Sequence, residues 1–288
     1  MCVSGPQKRY RRHTPCPGKL FLSVPRSDNM HLADALGLGS SAAVAFVGAG
    51  GKKTAMGRLT VEGTGEGYDV GYTTTTAMPP PPDLPLALTG PDRWRADLEA
   101  HEPPIAVARE SVTDPARVDR KVRGFEATVV ERMFDAGPFD WLLVKADGAR
   151  KREFKAPGES EPVVPDTATH VVPVASVAAV GAPLTTDLIH RPERVADVTG
   201  LEVGDTITPA AVGTVLSHPE GGLRNAPSEA SVIPLVNKAD TGTRRRTAVD
   251  VLTYALSRTE RCSRGVLTSF RSDVCEVVSA TATREEKR

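Results

Sequence analysis

Val44-Ala45-Phe46-Val47-Gly48-Ala49-Gly50-Gly51-Lys52-Lys53-Thr54 is the stretch that decides the fold of this chain. An uninterrupted apolar strand, of the kind buried on both faces of a parallel sheet, runs into a three-glycine turn. A lysine and a threonine then open a helix. That order is the layout of a phosphate-binding loop, in which closely spaced backbone N–H groups and a helix N-terminus cradle an anion. Gly48, Ala49, Gly50, Gly51, Lys52, Lys53 and Thr54 are the expected phosphate contacts, with Lys52 reaching the β and γ phosphates. The spacing departs from G-x-x-x-x-G-K-[ST], because Phe46 stands where the first glycine would and Lys53 where the hydroxyl would. That hydroxyl normally ligates Mg²⁺. Either Thr54 serves through a shifted loop or magnesium binding is impaired, with Lys53 offsetting part of the lost charge. The opposing reading, a glycine-rich turn without a ligand, leaves the strand–glycine–lysine–helix order unexplained.

Three further strand ends fit the same site. Tyr68–Thr75 runs into Thr73-Thr74-Thr75-Thr76, whose hydroxyls, Thr75 among them, could orient a water or sense a γ phosphate; threonine is also simply a good strand former. Trp141–Val144 ends at Lys145-Ala146-Asp147-Gly148. A carboxylate at the C-terminal end of a buried strand can hold Mg²⁺, although Asp-Gly is also an ordinary turn. Val232–Val236 ends at Asn237-Lys238-Ala239-Asp240. There Asp240 can accept both the N1 proton and the exocyclic amine of guanine, Lys238 can lie over the base, and Asn237 can brace the loops. The expected catalytic residues are Lys52, Thr75 and Asp147, and the expected metal ligands Thr54 and Asp147. Arg150, Lys151, Arg152 and Lys155 are either phosphate clamps or a solvated charge run. His190 or Arg191 could enter the site.

The remaining pattern alternates helices and strands. A short helix over His31–Leu36 ends at Gly37, and a helix over Thr54–Val61 follows the loop. Pro79–Pro82 makes a stiff loop. Pro91–Ala100 reads as a short helix, Ile105–Ala108 as a strand and Asp119–Phe134 as an amphipathic helix. His170–Val177 is a strand, Pro192–Val198 and Pro209–Leu216 are proline-started helices, Thr247–Leu256 is a helix and Val266–Phe270 a last strand. Strands alternating with helices predict an α/β fold, P-loop NTPase-like, with a mostly parallel sheet and helices on both faces. The expected division is a disordered basic leader over 1–30, a nucleotide-binding domain over 31–280 with an inserted lobe or long loop around 149–190, and a flexible tail over 281–288.

The chain has 288 residues, 40% of them hydrophobic, and no formal net charge. That is enough to bury a full core. Residues 1–30 carry six Lys or Arg against one Asp; an unstructured leader is the favoured reading of this arm, and nucleic acid is not an expected partner. No run of about 18 apolar residues and no apolar signal core occurs, so no membrane partner and a cytoplasmic location are expected. Cys2, Cys16, Cys262 and Cys275 have neither metal-ligand spacing nor a disulfide framework.

Taken in order, VAFVGAGGKKT at 44–54, TTTT at 73–76, Ala146-Asp147-Gly148, Lys155-Ala156-Pro157, Glu161-Pro162-Val163-Val164-Pro165, His190-Arg191-Pro192-Glu193 and Asn237-Lys238-Ala239-Asp240 resemble the YqeC family. The likeness covers roughly residues 34–270. That family is described as selenium-dependent hydroxylase accessory proteins in selenium cofactor biosynthesis. The resemblance implies a P-loop domain and a role in maturing or inserting the cofactor of molybdenum-containing hydroxylases, with those enzymes or their maturation proteins as partners. Two departures stand out: Lys53 where the family pattern has threonine, and Lys145 where it has glutamate. The expected activity is slow Mg²⁺-dependent hydrolysis of GTP or ATP. The alternatives are a non-hydrolysing module for a nucleotide-containing cofactor, or a small-molecule kinase or nucleotidyltransferase.

Overall fold

The computed structural model describes residues 30–112 and 120–279. The basic leader (apart from Met30), Cys2, Cys16, Asp119 and the tail over 281–288 lie outside the described residues. α1 (Leu32–Leu36) precedes β1 (Ala42–Gly48) and α2 (Lys52–Gly65). Then come β2 (Val70–Thr74), β3 (Ala77–Met78), β4 (Leu86–Leu88), α3 (Trp94–Leu98), β5 (Ile105–Ala108), β6 (Glu110–Val112) and β7 (Lys121–Arg123). α4 (Ala127–Ala136) leads into β8 (Trp141–Lys145), β9 (Phe154–Lys155) and β10 (His170–Ser176). After a 3-10 turn at Val177–Ala179 follow β11 (Ile189–His190), α5 (Pro192–Thr199), α6 (Pro209–Ser217) and β12 (Ser231–Val232). β13 (Leu235–Asn237), α7 (Gly242–Arg258), β14 (Arg264–Ser269) and β15 (Val274–Ser279) complete the order.

The main sheet runs β15-β14-β13-β10-β1-β8-β2-β5-β4, with β12 pairing alongside β10. It is parallel except for the β14–β15 pair. Ala42–Val47 is buried throughout, as a strand covered on both faces must be. Its side chains alternate: Val44 and Phe46 join the core beneath α1 and α2, while Ala45 and Val47 join the opposite layer with Val171, Val232 and Leu256. The helices therefore lie on both faces. A mostly parallel α/β sheet is established.

β2, β4, β5 and β8 lie on one side of β1, and β10, β13, β14 and β15 on the other. The strand order reverses between β1 and β10. In open α/β sheets a crevice opens at such a point, outside the carboxyl ends of the strands.

Several expectations are corrected. α2 extends beyond Thr54–Val61 in both directions. It ends at Gly65, and inside it Gly63 packs so closely on the Trp141 ring that an added Cβ would lie 2.6 Å from Cε3. The helix expected over Asp119–Phe134 starts only at Ala127. Before it, β7 pairs with β3 and β6 in a small antiparallel sheet. Gly124 and Phe125 donate to the carbonyls of Thr76 and Thr74, so the Val122–Phe125 spacing that reads as helical belongs to extended chain. Val232–Val236 divides into β12 and β13 around Pro234, which has no N–H to give a ladder. Residues 149–190 contain β10, a central strand pairing with both β1 and β13, and the short strands β9 and β11, which pair with each other. Among the described residues no helix is long and apolar enough to cross a membrane.

Candidate functional site

The carboxyl ends of β1, β8, β10 and β13 meet at the switch point. Leaving β1, the chain turns through Gly48 at φ 87° with the Val174 carbonyl against its Cα, a conformation and a clearance that glycine alone satisfies. The loop amides are largely committed. Gly48 N–H donates to Asp147 Oδ2 (2.8 Å), Ala49 N–H to Val174 O (2.8 Å) and Gly50 N–H to Arg152 O (3.1 Å). From Gly51 onward the geometry differs. Gly51 is the N-cap of α2 and no side chain caps the helix, so the amides of Lys52, Lys53 and Thr54 are those a helix leaves without an internal acceptor. The amides of the expected loop that remain open to a ligand are thus those of its last residues, Gly51–Thr54.

Beneath the loop lies a buried charge cluster. Lys52 Nζ sits 2.7 Å from Asp147 Oδ1 and also donates to the Gly48 carbonyl. Lys155 Nζ lies 3.0 Å from Asp147 Oδ2 and 2.6 Å from Glu161 Oε2, and it donates to Gly148 O. Arg191 Nη1 completes the chain at 2.6 Å from Glu161 Oε2. Burial opposes the charge on Asp147, but Lys52 and Lys155 hold its pKa below the usual carboxylate value. Burial likewise works against Glu161, yet Arg191 and Lys155 bring it down to about 2. His190 is pushed down to about 4 by burial and by Arg191, Lys155 and Arg150, which keeps it neutral at pH 7.

A pH dependence follows. A carboxylate whose folded pKa is depressed stabilises the fold above its ordinary value and loses that contribution as pH falls through the folded value. The urea-midpoint advantage of the parent protein over Glu161→Gln should be full above pH 4.5 and shrink toward pH 2. A difference independent of pH would show that Arg191 and Lys155 do not act on this carboxylate.

Above the cluster opens a cleft of about 730 Å³. Its walls are the loop at 49–54, a strap at 148–153, Asn237-Lys238, and Ala77, Pro79, Lys121 and Lys145. These walls carry eight Lys or Arg side chains against one carboxylate, Glu153, which Lys238 grips through both oxygens at 2.6 and 2.7 Å. Lys145 Nζ donates to Thr76 Oγ1 (3.0 Å) and Ala77 O (3.4 Å). Burial, then Lys52, lower its pKa to about 7. Arg150 and Lys151 both hold left-handed backbone, at φ 47° and 62°, a strain of the sort that gathers at functional sites.

The sequence-predicted residues divide into two groups. Gly51, Lys52, Lys53, Thr54, Asn237 and Lys238 line the cleft, and so do Ala49 and Gly50. Asn237 Nδ2 donates to Gly50 O (3.1 Å) and its Oδ1 accepts from Thr268 (3.1 Å). Asp147, Thr75 and Asp240 do not form the cleft wall. Thr75 donates to Val163 O (2.7 Å). Asp240 accepts from Ser269 Oγ (2.5 Å) and Arg244 Nη1 (3.3 Å). Among the described residues no three His, Cys, Asp or Glu are grouped to hold a metal. At the Thr54–Asp147 pair, ammonium groups already occupy both carboxylate oxygens, so the donor set does not fit a resident Mg²⁺.

Lys121, Glu153 and Ser269 were not anticipated, since they carry no motif. Lys155 and Arg191 are candidates in the sequence, whereas Glu161 is visible there only within the Glu161-Pro162-Val163-Val164-Pro165 stretch.

The fold and the cleft define an α/β protein with a cationic strand-end site. The chain belongs to the YqeC family, whose model, described as YqeC protein, matches residues 44–193. Over 204 residues it is 28% identical to a protein of Escherichia coli (strain K12) described as "Uncharacterized protein YqeC", covering 68% of this chain and 75% of that one. No solved structure matches the chain.

Proposed function

We propose that this protein binds a nucleoside triphosphate in the cleft and hydrolyses it slowly. The observation that carries the reading is eight cationic side chains gathered around an uncapped helix start and a glycine turn, at the switch point of the sheet. Helix amides and cations together favour a polyanion. In this reading Lys52 and the amides of Gly51–Thr54 take the phosphates, while Asn237 and Lys238 flank the base. Selecting guanine would require Asp240 to leave Ser269 and Arg244. GTP is the favoured nucleotide and ATP the alternative. Mg²⁺ finds a protein ligand only if Asp147 releases Lys52. The family resemblance supports a setting in the maturation of a molybdenum or selenium hydroxylase cofactor, with hydrolysis driving movement of the strap or a partner.

A second reading, binding without turnover of a nucleotide-containing cofactor, is favoured by two side chains turned away from the cleft. Asp147 is locked between two lysines and Thr75 is tied to Val163. Calorimetric titration with GTP and ATP, followed by phosphate-release measurement, separates the two. Saturable binding with slow release supports hydrolysis. Binding without release selects the second reading, and no heat with either nucleotide overturns both.

A further inference from the structure

We infer that the cleft takes its triphosphate free of metal, with the ammonium groups of Lys53 and Lys145 standing where a divalent ion would otherwise neutralise the phosphates. This rests on the nucleotide reading above.

Mg²⁺ demands near-octahedral oxygen ligation and usually takes one or two carboxylates with waters and phosphates. The wall of this cleft offers a single carboxylate, Glu153, and Lys238 holds both its oxygens. Asp147 is buried beneath the loop, with Lys52 on one oxygen and Lys155 and the Gly48 amide on the other. Both oxygens of Asp147 are thus already ion-paired, and a divalent cation there would lie against two ammonium groups.

Lys145 is instead pre-positioned for an anion. Its side chain is buried, and Thr76 Oγ1 and the Ala77 carbonyl accept two hydrogen bonds from its Nζ. An ammonium has three donors, so a third remains for a ligand in the cleft that Lys145 lines. Lys53 lies exposed in the first turn of α2, beside the uncapped amides. Charge-assisted bonds to phosphate are about twice as strong as neutral ones. Phosphate in the cleft would favour the charged form of Lys145, and a metal already on the phosphates would reduce the attraction both lysines exert.

The test is calorimetric titration of the full chain with GTP, ATP and inorganic triphosphate, in excess chelator and again in millimolar Mg²⁺. The expected result is a Kd in chelator equal to or lower than that in Mg²⁺. Lys145→Met and Lys53→Met should each weaken triphosphate binding in chelator by about tenfold, and by less in Mg²⁺. Lys53 is exposed, so its variant tests the idea even where the buried one fails to fold. Tenfold or greater dependence on Mg²⁺, or an unchanged Kd for Lys53→Met, overturns the metal-free site while the nucleotide reading stands. Absence of triphosphate binding in both buffers overturns the two together.

Discussion

Asp147→Asn should lower the stability of the protein by about 3–5 kcal/mol, read as a drop in the urea midpoint at neutral pH. Removing one partner of a buried ion pair leaves an uncompensated buried charge, and that penalty is of this size. Here the effect is doubled in kind, because Asp147 faces both Lys52 and Lys155 and also accepts the Gly48 amide. Lys155 keeps Glu161 and the Gly148 carbonyl; Lys52 keeps only a carbonyl. The companion variant Asp147→Leu with Lys52→Met should recover most of the loss, since apolar replacement of a buried pair is often neutral or stabilising. A loss under about 1 kcal/mol for Asp147→Asn would mean that the cluster is solvated and that its charges do not organise the loop.

Lys52→Met alone should leave a folded protein that has lost its ligand. Asp147 then retains Lys155 and the Gly48 amide, so no unpaired carboxylate results. Truncating one partner of a desolvated charge contact costs binding about 2–5 kcal/mol, which is about 30-fold or more in Kd. GTP titration by calorimetry reads it directly. Unchanged affinity in a folded variant would remove Lys52 from the phosphate site and leave the strap cations to carry whatever binding remains.

Much of the architecture was legible because its strands are buried on both faces. Val44–Val47, Trp141–Val144 and Val171–Ala175 are runs of apolar side chains that few other environments accept, and each lies in a central strand of the sheet. β15 was missed because it is only half covered. Glu276 interrupts its apolar residues, and its pairing with β14 depends on backbone partners that no local pattern encodes. The small β3-β7-β6 sheet was missed for a related reason: two- and three-residue strands carry no period, and Val122 with Phe125 imitates a helix face. In the site, the glycine turn and the helix start were readable from local chemistry. The commitments of single atoms were not. Thr75, Asp147 and Asp240 have the right chemistry at the right strand ends, but Val163, Lys52 and Ser269 claim them across long sequence separations.

Arg152 and Glu153 have a consequence beyond lining a wall. The Arg152 carbonyl takes the Gly50 amide after β1, the Glu153 carbonyl takes the Ser176 amide at the end of β10, and the Glu153 carboxylate takes Lys238 after β13. One dipeptide therefore stitches three neighbouring strand tips together. Breaking these contacts would loosen all three tips at once.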